Sequence, residues 1–201
     1  MGKDVRVARQ ARGTDGGTAS KILDVAERLV QLRGFNGFSY ADVADELGIS
    51  KASLHYHFAG KAELGEALIE RYASRFTSSL DEIEARPIEA PAKLAAYAKL
   101  YGDVLRRKRM CLCGMLAAEF GTLPKSMRDE MRHYFDANEQ WLVSVLQEGK
   151  KDKSLRFTGS AAHLAQSLIS ALEGALMIAR TYGEVERFRS ASDRLLGSIA
   201  A

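Results

Sequence analysis

The sequence predicts an all-α protein, and three observations carry that expectation. Only three prolines occur in 201 residues, so few positions forbid a helix. Long stretches are rich in Ala, Leu, Glu and Arg, which favour helix over strand. Apolar residues recur at steps of three and four, the spacing of one helix face. The expected plan is about nine helices: an N-terminal three-helix domain with a helix-turn-helix, a long connecting helix, and a C-terminal helical domain.

Residues 1–17 hold Lys3, Arg6, Arg9 and Arg12 against Asp4 and Asp15, with four glycines and little to bury, and read as a disordered basic arm. Helix one is expected over about 18–32, with Ile22, Ala26, Leu29 and Val30 on one face and Gly34 as its stop. Ser39 then caps a second helix, with Asp42 three residues on to complete a capping box. Val43, Ala44 and Leu47 form its inward stripe, Gly48 suits a left-handed end, and Ile49 plugs the turn. Ser50 caps a third helix carrying Lys51, Ser53, His55, Tyr56 and His57. Two short helices around a tight turn have the shape that lays its second helix into the DNA major groove. An ordinary helical hairpin is the competing reading of this segment alone.

A connecting helix follows over 61–85, with Leu64, Leu68, Tyr72, Phe76, Leu80 and Ile83 on one side. It ends at Arg86-Pro-Ile-Glu-Ala-Pro91, where two prolines set a domain boundary. The remaining residues, 86–201, give five helical segments at about 92–107, 109–120, 124–148, 159–182 and 185–200. Pro124 suits a first turn, and Thr158 and Gly183 bracket the fourth segment. That segment is apolar on nearly every side and demands burial on both. The last carries Val185, Phe188, Ala191, Leu195 and Ile199, a seam close to a heptad. Segments 159–182 and 185–200 therefore read as a homodimer interface, with completion of the monomer core as the alternative.

The stretch from about Ser20 to Leu68 resembles the DNA-binding domain of the TetR family of bacterial transcription regulators. The residues that carry the likeness are Arg33-Gly-Phe-Asn-Gly-Phe38, Asp42-Val-Ala44, Gly48-Ile-Ser50, Leu54-His-Tyr-His-Phe58 and Lys61-Ala-Glu-Leu64. The resemblance implies a DNA-binding domain over 18–60 and an effector-binding and dimerisation domain over 86–201. It also implies a homodimer that binds a roughly palindromic double-stranded DNA operator, two recognition helices entering successive major grooves. Repression rather than activation is implied by the family alone. By the same resemblance, Ser39 and Tyr40, Lys51 to His57 and Lys61 face DNA. Lys51 suits guanine acceptors, Ala52 a thymine methyl and Ser53 either base type. Tyr56, His57 and Lys61 suit phosphates. His55 stands where the family most often has tyrosine, and an imidazole can donate the same phosphate bond. The basic arm either tracks phosphates or the minor groove, or is a solvated tail.

Met110-Cys-Leu-Cys-Gly-Met-Leu-Ala-Ala-Glu119 is the conspicuous feature of the C-terminal half. Cys111 and Cys113 are small buried hydrophobes, or a thiol switch whose pKa is lowered by Arg106, Arg107, Lys108 and Arg109, or metal ligands with His133 or His163. The stretch is similar to that of family members that sense electrophiles. A small-molecule or electrophile effector is expected near Tyr97, Tyr101, Cys111, Cys113, Met115, Glu119, Met131, Tyr134 and Glu173. Glu119 and Glu173, set in apolar stretches, are the stronger pocket markers, suited to a cationic or hydroxylated ligand.

Other classes fare worse. A net charge of +3 is too small to argue for nucleic acid by itself. The most apolar stretch, Leu164 to Ala179, is interrupted by Gln166, Ser167, Ser170 and Glu173, which argues against a membrane span. The polar, basic start reads as no secretory leader, and two cysteines one residue apart fit a reducing cytoplasm. No Gly-rich phosphate loop, HExxH or nucleophile elbow is present, so no catalytic residue, metal or cofactor is expected. A thiol enzyme or metal sensor built on Cys111 and Cys113 is the alternative, and it leaves the helix-turn-helix unexplained.

Overall fold

Nine α-helices and one 3-10 turn build the fold among the described residues, with one isolated antiparallel bridge, Leu155 to Ala200. The computed structural model describes the backbone from Asp4 to Ala201 and the side chains from Gly17 on. α1 spans Asp4–Arg33, α2 Tyr40–Leu47, α3 Lys51–His57 and α4 Lys61–Glu84. α5 spans Ala90–Arg106, α6 Leu112–Ala118, α7 Lys125–Asp152, α8 Ala161–Tyr182 and α9 Val185–Gly197. The arm expected to be disordered over 1–17 is instead helical backbone from Asp4, in register with α1. Its run of Val, Ala, Arg and Gln holds few helix breakers before Gly13. What its basic side chains touch lies outside the described residues.

The N-terminal helices are set by local chemistry. Ile22, Val25, Ala26, Leu29 and Val30 of α1 are buried against α2 and α4. Gly34 ends α1 at φ +83°, its N–H donating to the Val30 carbonyl at 2.8 Å. The Ser39–Asp42 capping box forms as the sequence predicts. Gly48 closes α2 in the left-handed region at φ +64°, with its N–H donating to the Ala44 and Asp45 carbonyls. Ser50 caps α3 by accepting from the Ser53 N–H at 3.0 Å. Leu54, fully buried, anchors α3 on the core.

α4 runs for 24 residues, about 36 Å of helix, and joins this head to the remainder. Leu64, Leu68, Tyr72, Leu80 and Ile83 of its expected stripe are buried. Pro91 starts α5 rather than ending α4, as a residue with no N–H can at a helix's first turn. α6 is shorter than the 109–120 expected, because Cys111 is extended at ψ 130° and the Met110 N–H donates across to the Gln31 carbonyl of α1. Ser160, not Thr158, caps α8, accepting from the His163 N–H at 3.1 Å.

α8 packs on α7 and α9 with Ala165, Leu168, Leu172, Leu176 and Ala179 buried. By length and composition it is the one helix, among the described residues, apolar enough to cross a membrane. It carries Glu173 and Arg180, however, and only one of its faces is covered. Met177, Ile178 and Tyr182 are 49%, 56% and 60% exposed.

Candidate nucleic-acid interface and ligand cleft

α3 presents an outward face in which Lys51, Ala52, His55 and Tyr56 are exposed and Ser53 and His57 half-buried. Tyr56 is 76% exposed, the most exposed large apolar side chain of the described residues. Its ring meets His57 edge-on at 5.3 Å. His55 Nδ1 lies 3.1 Å from the Ala59 carbonyl, so that nitrogen carries the proton and donates. Tyr40 packs against His55 at 4.8 Å and donates its hydroxyl to the Phe58 carbonyl at 3.1 Å. Burial, then the Glu63 carboxylate, pushes that phenol up to about 12. Ser39 is engaged in its capping box. Tyr40 thus has internal work that the sequence did not assign it, and Ser39 keeps the cap that the sequence predicts.

Lys61 departs further from expectation. Its ammonium donates to the Phe38 carbonyl and lies 4.3 Å and 4.7 Å from the centroids of Phe38 and Phe35. Desolvation under these rings pushes its pKa below the ordinary lysine value. Expected to face a phosphate, it instead fastens the start of α4 to the turn between α1 and α2, because that turn folds its two rings over the helix end.

That turn is also gripped from the other side. Glu119, at the end of α6, accepts from the Phe35 N–H at 2.5 Å and the Asn36 N–H at 3.2 Å. Asn36 donates its side-chain amide to Thr122 at 2.8 Å. Arg180 of α8 donates to the carbonyls of Gln31 at 3.3 Å and Leu32 at 2.6 Å, satisfying the C-terminal end of α1. Met115 accepts from the same guanidinium at 3.4 Å. Glu119 and Met115 are therefore joints between the two halves, not walls of a pocket as the sequence suggested. Their partners lie far off in the chain and no local pattern reveals them.

The other expected pocket residues separate into core and cleft. Tyr97, Tyr101, Met131 and Tyr134 are buried. Tyr97 and Tyr101 share a hydroxyl contact at 3.0 Å, and Phe76 meets Tyr97, Tyr101 and Tyr134 edge-on within 6.1 Å. They pack into an aromatic core, a correction to the pocket expected there, and Tyr134 also lines a cleft of about 190 Å³ between α4 and α7. A neighbouring cleft of about 390 Å³ lies between α6, α7 and α8. Gly114, Phe135, Ile169, Met177 and Glu173 are among its lining residues, and only Glu173 was expected there.

Cys111 and Cys113 are free and buried. Burial, then the Glu173 carboxylate, pushes the Cys111 thiol well up, and burial, then Cys111, does the same to Cys113. Tyr72 donates its hydroxyl to Cys111 at 3.6 Å. The basic run expected to activate the thiols faces outward: Arg106, Arg107 and Lys108 are exposed, and Arg106 pairs with Asp103. A low-pKa thiolate is thus not what this packing makes. His133 and His163 are exposed on α7 and α8, and no metal-holding group of three or more His, Cys, Asp or Glu occurs among the described residues. Native-state labelling with iodoacetamide is expected to run at least about 100-fold slower than in the denatured chain, because both the thiolate fraction and access are low. Labelling at the denatured rate means that the thiols open to solvent.

Residues 22–68 match the model of the bacterial regulatory proteins of the tetR family, and residues 90–195 match the tetracyclin repressor-like C-terminal domain. The chain belongs to the TetR family of bacterial transcription regulators. The repressor NemR of Escherichia coli (strain K12) is 25% identical over 191 residues, 93% of this chain and 96% of NemR. The transcriptional regulator AcuR of Cereibacter sphaeroides is 25% identical over 152 residues, 74% of this chain and 69% of AcuR. Among solved structures, a TetR-family regulator from Agrobacterium tumefaciens superposes with a TM-score of 0.90 at 30% identity, covering 93% of this chain and 100% of that one. The reduced form of E. coli NemR superposes at 0.82 with 24% identity, covering 92% and 97%, a likeness of fold. In TetR-family terms α2 and α3 are the helix-turn-helix, and the cleft lies in the C-terminal domain.

Proposed function

We propose that this TetR-family regulator is a cytoplasmic homodimeric repressor that leaves a palindromic operator when a small molecule occupies its C-terminal domain. The observation that carries the reading is the outward face of α3, where Lys51, Ala52, His55 and Tyr56 stand clear while Leu54 beneath them is fully buried. Lys51 and Ala52, in the first turn, meet base edges together with Ser53. Tyr56 and His57 meet phosphates, and His55 does so through its second ring nitrogen. Ser39, Tyr40 and Lys61 shape the head that carries α3. The name of NemR supports repression over activation.

The dimer is supported by the uncovered face of α8. Met177, Ile178 and Tyr182 lie there, and beside it Ala171, Ala175, Ala191 and Leu195 of α8 and α9 line a shallow groove of about 280 Å³. Small residues of this kind let helices from two copies approach closely. Two α3 helices then address half-sites one DNA turn apart.

Fluorescence anisotropy with labelled DNA from upstream of its own gene tests the reading. Lys51→Ala is expected to weaken specific binding by about 1–3 kcal/mol and to shift the preferred operator, whereas Tyr56→Ala weakens binding to all sequences alike. Unchanged operator choice in Lys51→Ala together with unchanged affinity in Tyr56→Ala removes α3 as the reading helix. A non-covalent effector is preferred to thiol modification because both thiols are buried and held protonated.

A further inference from the structure

The cleft between α6, α7 and α8 has apolar walls and an unbalanced charge at its base. Gly114, Phe135, Ile169 and Met177 supply wall. Both carboxylate oxygens of Glu173 are closed off from solvent, and no nitrogen or oxygen donor bonds either of them. Glu139, the other acid of the cleft, already accepts from Gln166 at 3.3 Å. Neither Lys nor Arg lines the space among the described residues. Arg180, two turns along α8, is committed to the Gln31 and Leu32 carbonyls. The Cys111 thiol donates to Glu173, but a thiol is a weak donor and brings no charge. An unpaired buried carboxylate is costly, and the cost is relieved by a proton or by a cationic donor.

We propose that this cleft binds a small molecule bearing one ammonium group on an apolar body, Glu173 turning its carboxylate from Gly114 into the cleft to accept from the ammonium while Phe135, Ile169 and Met177 enclose the body. The proposal deepens the reading of the chain as an effector-released regulator and rests on it. A volume of about 390 Å³ is at the small end of ligand sites, which fits a single-ring or short-chain amine. The position of the carboxylate gives the ligand leverage on the fold. A Cβ built at Gly114 would lie 2.4 Å from Glu173 Oε2, so the carboxylate rests directly on the α6 backbone.

The pH dependence of binding has a definite sign. Burial raises Glu173 to about 7. The groups that bear on it are Cys111 just before α6, Cys113 from α6, Tyr72 from α4 and Tyr97 and Tyr101 from α5. Tyr134 and Glu139 stand near on α7, Tyr134 in the same aromatic core and Glu139 in the cleft wall. The thiols and phenols named all shift upward and stay neutral near pH 7. An ammonium ligand needs the ionised carboxylate, so its affinity grows as pH rises through about 7 and levels off above it. Between pH 8 and pH 6 the ionised fraction, and with it the affinity, falls about tenfold.

The test is calorimetry on the full chain with 2-phenylethylammonium, its neutral counterpart 2-phenylethanol, and hexylammonium with hexanol. Each titration is run at pH 8 and pH 6, with operator affinity measured by anisotropy on the same samples. The ammonium compounds are expected to bind at least tenfold tighter than the alcohols at pH 8, and about tenfold weaker at pH 6. Glu173→Gln is expected to remove both the preference and the pH dependence. Ala117→Trp, which fills the cleft from α6 and keeps Glu173 itself, is expected to abolish binding and serves should the first variant misfold. Alcohols binding as well as amines, no binding of either amine, or amine binding unchanged in both variants overturns the proposal. If DNA binding persists while the amines fail, only this proposal falls. If the amines bind and no operator DNA does, the regulator reading fails and the cleft stands as an ammonium site.

Discussion

Gly37→Ala is expected to destabilise the DNA-binding head by about 3 kcal/mol and to lower the melting temperature by roughly 6–12 °C. A Cβ at this position would fall 2.2 Å from the Arg33 carbonyl oxygen and 2.9 Å from its carbonyl carbon. Both are backbone atoms at the end of α1, so no rotamer change opens the space. Gly34, whose N–H is bonded to Val30, holds the same backbone in place from the next turn. Relief then requires the turn from Gly34 to Phe38 to re-form. That turn carries Phe35 and Phe38, both buried, the ammonium of Lys61 and the carboxylate of Glu119. Operator binding is expected to fall along with stability. Gly17→Ala is the control: no atom lies within 4 Å of its Cβ, and alanine in a helix interior is neutral or mildly stabilising. Thermal melts followed by circular dichroism decide the matter, and equal melting temperatures for the two variants would show that the turn yields at little cost.

What the sequence made legible is what is local. The Ser39–Asp42 box, the left-handed Gly48 and the Ser50 cap are each written within four residues, and each forms where the sequence puts it. The long apolar stripe of α4 and the proline break after it are of the same kind. Misreadings occur where a distant partner overrides local pattern. Met110 and Cys111 lie in an apolar run that looks helical, yet the Met110 N–H is drawn to Gln31 of α1 and the helix starts later. Lys61 sits at a position that commonly faces phosphate, yet Phe35 and Phe38 fold over it.

The two acids marked as pocket residues show the same division. Glu173 was identifiable because apolar neighbours on both sides of it in α8 imply burial wherever the helix packs. Glu119 has similar neighbours, but its position at the end of α6 hands it to backbone donors of another domain. The spacing of residues gives burial. It does not give the identity of the partner, and for a charged side chain the partner decides the role. The tyrosines at 97, 101 and 134 make the complementary point: aromatic spacing predicts a cluster, and the cluster is filled rather than hollow.

Glu119→Ala is expected to loosen the junction between the two halves by about 2 kcal/mol, since it removes the acceptor of two backbone donors. Phe35 is buried, so its N–H is left without a partner and the turn must open or admit water. Amide hydrogen exchange at Phe35 and Asn36 is expected to quicken by roughly 30-fold, the factor that corresponds to about 2 kcal/mol. Glu119→Gln keeps one acceptor and should fall between. Ser39 caps α2 directly after this turn, so the orientation of the helix-turn-helix depends on it. Operator affinity is therefore expected to drop about tenfold in Glu119→Ala with little loss in the melting of the C-terminal helices. The larger consequence concerns signalling. Gly114 and Glu119 are the two ends of one short segment, the first resting on the carboxylate of the cleft and the second holding the reading head. A ligand that displaces Glu173 acts on the first end, and the second transmits it. In Glu119→Ala, operator release by a cleft ligand should weaken while ligand affinity, read by calorimetry, stays as it was. Full release in this variant would mean that the signal travels through Arg180 and the end of α1 instead.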